Sequence, residues 1–203
     1  MWADGAGASP LPEAVRAQGY NKISFQDEFD GDALDTSKWG YSYSCFDPNA
    51  RPSIMGDPKT PLASIERFIA LSDVVKVSDE DIDWLTGGAS IDEVVERWLG
   101  LGPSLVVVTR GKHGCLVATA SGLRFTKTPG DVTVVDTVGA GDSFMGGLED
   151  GLWSEDLVGA DRREALRAVD AATLERIMRH AAAIADITVS RAGANPPTRD
   201  ELP

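Results

Sequence analysis

Three short runs of β-branched residues stand out from the polar background of the chain. They are residues 73–77 (Asp-Val-Val-Lys-Val), 105–109 (Leu-Val-Val-Val-Thr) and 132–135 (Val-Thr-Val-Val). Their apolar positions run on without strict alternation, the pattern of strands covered on both faces. Between them the apolar positions change to helical spacing. Ile65, Phe68 and Ile69 predict a helix over 64–71, and Val94, Val95, Trp98 and Leu99 predict one over 91–99. Leu166, Val169, Leu174, Ile177, Met178, Ala181 and Ile184 predict a long helical stretch with a break near 170–173. Asp161 to Glu164 has the form of a capping box at its start, and Gly193 with Pro196-Pro197 supplies the stop. Residues 114–119 and 123–126, flanking Ala120-Ser121-Gly122, predict a hairpin. Strands alternating with helices predict an α/β fold with helices on both faces of a sheet. This texture begins at Ser44. Residues 1–22, rich in Gly, Ala and Pro without period, read as a flexible lead, and 23–43 carry aromatics spaced by polar residues. The expected division is therefore 1–43 and 44–203. No internal repeat is visible.

Charge narrows the function. The 203 residues carry a net charge of -13, which argues against nucleic acid and anionic membrane surfaces as partners. No stretch reaches the roughly 20 apolar residues of a membrane span. The first residues lack a basic segment followed by an apolar run, so no signal peptide is expected. Cys45 and Cys115 read as two reduced thiols of a cytoplasmic protein, and His113 and His180 as solvent-facing side chains.

The densest chemistry lies at Val134-Val135-Asp136-Thr137-Val138-Gly139-Ala140-Gly141-Asp142-Ser143. An apolar strand is expected to run through a glycine-rich turn into a helix. A helix start presents unpaired N–H groups and the positive end of a dipole, so it can receive a phosphate. Glycines let the backbone approach closely. An acid there is out of place for phosphate binding alone, but apt if Asp142 takes a proton from an attacking hydroxyl. The plainer reading is an Asp that complements the dipole.

The longer string Asp136-Thr137-Val138-Gly139-Ala140-Gly141-Asp142-Ser143-Phe144, followed by Gly146-Gly147, resembles the C-terminal signature of the PfkB (ribokinase-like) carbohydrate kinases. Glu149 stands where that family usually has a small or apolar residue. The resemblance implies a ribokinase-like three-layer α/β/α sandwich, N-terminally truncated because the expected match starts near residue 44. It implies that the amides of Gly139, Ala140 and Gly141 form an anion hole, that Asp142 is the catalytic base, and that Asp136 is a ligand of a monovalent cation such as K+. Thr109, Gly111 and Gly114, after the second strand, become ATP contacts, although a tight turn explains the same residues. Lys76-Val77-Ser78-Asp79-Glu80-Asp81 resembles the segment that organises Mg2+-ATP, with Ser78 as a nucleotide contact and Asp81 toward the metal. Ser78 and Asp81 also suit a helix cap. Phe46-Asp47-Pro48-Asn49-Ala50-Arg51-Pro52 and residues 188–197 resemble two further family segments, at the cleft and over the adenine.

The implied function is ATP-dependent phosphorylation of a sugar hydroxyl, with fructose or a similar hexose ahead of ribose, impaired by loss of the sugar-binding half. A non-catalytic fragment with residual nucleotide binding is the alternative. Residues 23–39 resemble the N-terminal edge of laminarinase-type (family 16) glycoside hydrolases. The Glu-x-Asp-x-x-Glu strand such enzymes need is missing from the sequence, which disfavours hydrolysis. Self-association through an uncovered sheet edge, at Val74, Val75, Val106 and Val107, or else a partly disordered N-terminal region up to about residue 43, is also expected.

Overall fold

A computed structural model describes residues 44–202. The expectations for residues 1–43 lie outside the described residues. A five-stranded sheet forms the middle layer: β1 (Cys45–Phe46), β2 (Val74–Ser78), β3 (Leu105–Thr109), β4 (Cys115–Thr119) and β5 (Arg124–Lys127), in that spatial order. β1, β2 and β3 run parallel, and β3, β4 and β5 are antiparallel neighbours. The helices are α1 (Pro52–Met55), α2 (Lys59–Ile69), α3 (Asp79–Thr86), α4 (Ile91–Leu99), α5 (Ala140–Ser154), α6 (Arg163–Arg167) and α7 (Ala171–Val189).

The unbroken apolar runs have their cause in two cores. Val74, Leu105, Val107 and Val117 pack under Phe144, Leu148, Leu152, Leu166, Leu174, Ile177 and Met178, the face of α5, α6 and α7. Their sequence neighbours Val75, Val77, Val106, Val108 and Leu116 pack on the other face against Ile65, Ile69, Ile82, Val95 and Trp98 from α2, α3 and α4. Successive side chains of a strand point to opposite faces, so each run feeds both layers. The result is the three-layer α/β/α arrangement. Lys76 shares the face of Val74 and is 4% exposed, a charge on a strand buried from both sides.

Local rules account for the helix ends. Ser90 accepts from Glu93 N–H while the Glu93 carboxylate accepts from Ser90, a complete capping box at the start of α4. Asp170 Oδ1 accepts from Thr173 N–H at 2.8 Å and starts α7. The break at 170–173 is thus a true boundary. The box expected at 161–164 does not form; residues 160–162 make a 3-10 turn before the short α6. α7 ends at Val189, four residues before Gly193. α2 starts five residues earlier than its apolar spacing indicates, behind Pro58.

α5 and α7 pack very closely. A Cβ placed on Gly147 would lie 2.8 Å from Ala181 Cα, and one on Gly151 would lie 2.9 Å from Ile177 Cγ2. Two glycines one turn apart therefore let the helices touch.

Two expectations are corrected. Residues 132–135 form no strand among the described residues; Val134 and Val135 are 58% and 61% exposed. A β-branched run needs an edge to pair with, and here the Val135 and Asp136 N–H groups donate instead to the Val189 carbonyl, at 2.7 and 3.2 Å. That carbonyl is one of the acceptors left over at the end of α7. The uncovered valines are the second correction. Val74, Val75, Val106 and Val107 are all at most 1% exposed, since β2 and β3 lie inside the sheet under both helical layers. Among the described residues the outer strands of the sheet are the two-residue β1 and the four-residue β5.

Candidate active site

The carboxyl ends of β1, β2 and β3 open on one edge of the sheet, the place where open α/β sheets receive ligands. Asp47 follows β1, Ser78 ends β2, and Thr109, its register partner, ends β3. The N-terminus of α5 reaches the same edge.

Gly139 has φ +78° and introduces α5 at Ala140. A Cβ there would also lie 2.8 Å from the Ala194 Cβ, so glycine is required twice over. Ala140 N–H donates to the Thr137 carbonyl at 3.2 Å, and Ser143 N–H donates to the Gly139 carbonyl at 2.8 Å. The N–H groups of Gly139, Gly141 and Asp142 have no acceptor among the described residues. The open donors are thus Gly139, Gly141 and Asp142, with Ala140 turned to its own loop. The Asp142 side chain is exposed and accepts no hydrogen bond among the described residues.

Asp136 holds the turn from below. Its Oδ1 accepts from Val138 N–H at 3.1 Å and its Oδ2 from Gly193 N–H at 2.8 Å. Those two N–H groups keep its carboxyl below the usual aspartate value. The turn is thereby clamped to the segment beyond α7.

On β2, the Lys76 ammonium donates to Asp47 Oδ2 at 2.7 Å. Its Nζ would be 3.1 Å from a Cβ placed on Gly141. A side chain at Gly141 would therefore crowd the lysine end. Ser78 Oγ caps α3 by accepting from Asp81 N–H at 3.0 Å. Burial pushes the Asp81 carboxyl above its ordinary value; the Ser78 contact and the Lys76 charge oppose this, and the Asp47 charge adds to it. The Asp81 carboxyl thus feels the charges of Asp47 and Lys76.

The other expected residues are placed differently. Thr109 Oγ1 donates to the Val77 carbonyl at 3.3 Å. Gly111 (φ +49°) begins an exposed 3-10 turn. At Gly114 a Cβ would lie 1.9 Å from the Lys127 carbonyl oxygen, so this glycine is needed for the close approach of β5. His113 is exposed, whereas His180 is half-buried, with Nε2 2.7 Å from Asp150 Oδ2.

The sequence does not single out Lys76, and it marks Asp47 only as part of a cleft segment. The available signal is the single charge within Val74-Val75-Lys76-Val77. Which face it takes, and which helix end lies there, depends on the packing of α5.

The donor set suits a metal that travels with phosphates. Mg2+ keeps several waters and needs only one or two protein carboxylates, one of which Asp81 can provide. Among the described residues no cluster of three His, Cys, Asp or Glu side chains could hold a metal alone.

Comparison with known proteins puts this geometry in context. The family described as pfkB family carbohydrate kinase matches residues 11–201. The matched span includes 23–39, and the hydrolase resemblance of that stretch gains no support. A fructokinase of Rhizobium leguminosarum bv. trifolii is 45% identical over 103 residues, 50% of this chain and 31% of that protein. The crystal structure of a Vibrio cholerae O395 fructokinase in fructose, ADP and calcium ion bound form is 34% identical with a TM-score of 0.61, over 75% of this chain and 46% of that one. A Xylella fastidiosa fructokinase with bound ATP has a TM-score of 0.65 at 28% identity, over 75% and 47% of the two chains. In each comparison this chain spans less than half the relative's length.

Proposed function

The chain belongs to the pfkB family of carbohydrate kinases, and from that premise we propose that its site transfers the terminal phosphoryl group of ATP to a hydroxyl of a hexose such as fructose, in the cytoplasm. The observation that carries this reading is the start of α5. There, three open N–H donors and an unpartnered Asp142 carboxylate stand in one helical turn.

Asp142 accepts the proton of the sugar hydroxyl as the hydroxyl oxygen bonds to the γ-phosphorus. The bond from that phosphorus to the oxygen of the departing ADP breaks in the same transfer. The N–H groups of Gly139, Gly141 and Asp142 face the charge that develops on the phosphoryl oxygens. Asp81 would hold Mg2+, and the chemistry that ion would supply is neutralisation of phosphate charge. Thr109 and Gly111 lie at the adjoining strand end, where the nucleotide would extend, and Ser78 keeps Asp81 in place by capping α3. The Asp136 carboxylate clamps the turn and retains lone pairs for a monovalent cation. Residues 1–43 and 44–203 are proposed as separate parts, the second carrying this site.

The test is sugar-dependent ADP release with fructose, Mg2+ and ATP. Asp142→Asn should lower kcat by about 10²- to 10⁴-fold, the range for a positioned general base, with ATP affinity held or raised. Equal turnover by the variant would leave Asp142 as a dipole-complementing residue only. Because this chain spans at most about half the length of the relatives it matches, a second reading is a nucleotide-binding portion without turnover. ATP binding with no sugar-dependent ADP release would select it.

A further inference from the structure

Lys76 is placed against ordinary electrostatics. Its ammonium lies on a strand covered by helices on both faces, at 4% exposure. It also lies beside Gly141, in the first turn of α5. A helix N-terminus carries partial positive charge, and cations there are unfavourable. Two positive groups therefore converge on one spot, where the Asp47 carboxylate pairs with the ammonium at 2.7 Å and Asp142 is the one acid in the first turn of the helix. Among the described residues, Asp47 is the single hydrogen-bond partner of an ammonium that has three donors.

We infer that Lys76 is a phosphate-contacting residue of the transfer site, its ammonium and the α5 N–H groups gripping the same phosphoryl oxygens, with Asp47 holding the ammonium in line between turnovers. The inference rests on the phosphoryl-transfer reading above. An anion between the two positive groups turns their repulsion into a shared attraction. Gly141 then serves a second purpose, because its missing side chain keeps the route from Nζ to the turn open. Asp47 works in the opposite sense. Its carboxylate competes with phosphate for the ammonium, so it keeps the lysine ordered at some cost in affinity.

A purely structural ion pair, fastening the loop after β1 to β2, gives different outcomes. ATP with Mg2+ and adenosine alone are titrated calorimetrically into the full chain and its variants. Lys76→Met should weaken ATP roughly 10- to 100-fold, the usual worth of a charge-assisted contact, and leave adenosine unchanged. Lys76→Arg should recover part of the loss. Asp47→Asn should tighten ATP severalfold by freeing the ammonium. If Lys76→Met does not fold, the Arg and Asn variants carry the test. Equal losses for ATP and adenosine, or Asp47→Asn binding ATP no better than the native chain, would overturn the inference while leaving the kinase reading intact. Failure of the native chain to bind ATP at all would overturn both.

Discussion

Gly146 and Gly147 are neighbours in one helix, yet alanine should act on them with opposite sign. A Cβ on Gly146 would meet no atom within 4 Å. Replacing it removes only the backbone freedom that glycine has in the unfolded chain, and alanine gains about 1 kcal/mol in a helix interior. A Cβ on Gly147 would lie 2.8 Å from Ala181 Cα and 2.9 Å from Ile184 Cδ1. The isoleucine end can rotate away. The α-carbon cannot, so α7 must move off α5, and overpacking of this kind costs about 1–3 kcal/mol. Taking the upper end and subtracting the propensity gain leaves Gly147→Ala about 2 kcal/mol less stable. One kcal/mol moves Tm by about 2–4 °C for a chain of this size. Gly147→Ala should therefore melt about 4–8 °C below the native chain and Gly146→Ala about 2–4 °C above it. Calorimetric or circular-dichroism melts of the three chains decide the matter. If Gly147→Ala melts at or above Gly146→Ala, the close α5–α7 contact is not what these glycines provide.

Gly114→Ala combines a φ of +77° with a Cβ 1.9 Å from the Lys127 carbonyl oxygen; it should cost more than about 3 kcal/mol, seen as low soluble yield or early amide exchange in β4 and β5. Asp81→Asn should weaken the Mg2+ dependence of ATP binding yet stabilise the fold. Its carboxyl is raised from 3.8, so the native aspartate loses stability as pH rises from that value through the folded one, and melts of the variant should be flatter across that window. Glu201 has the reverse sign: the Arg191 guanidinium, with the Thr198 N–H, lowers it from 4.5 to about 2. Its contribution is present above 4.5 and lost as pH falls toward 2, and Glu201→Gln should remove that acid-side dependence from the melting curve.

Most of the fold was legible because it rests on local rules. The valine runs, the Ser90–Glu93 box, the hairpin and the break before α7 are each set by residues within one or two turns. The failures came where a distant group decided. Residues 132–135 have the composition of a strand, but the acceptor nearest their N–H groups is Val189, the end of a helix more than fifty residues later. In the site, the turn 139–142 and the Ser78 cap could be read directly. Lys76 could not, since its meaning depends on Gly141, 65 positions away in the chain.

The Val189 carbonyl that receives Val135 and Asp136 makes α7 a measuring rod. Adding one residue within that helix would carry its far end forward by about 1.5 Å and swing it by about 100°, taking the carbonyl away from both N–H groups. The turn at 136–142 would lose its footing without a single change among residues 134 to 142. Helix length, a property with no side chain attached, is therefore under the same constraint as the turn that carries Asp142, and insertions in α7 should register as losses of the proposed ATP binding before they register as losses of fold.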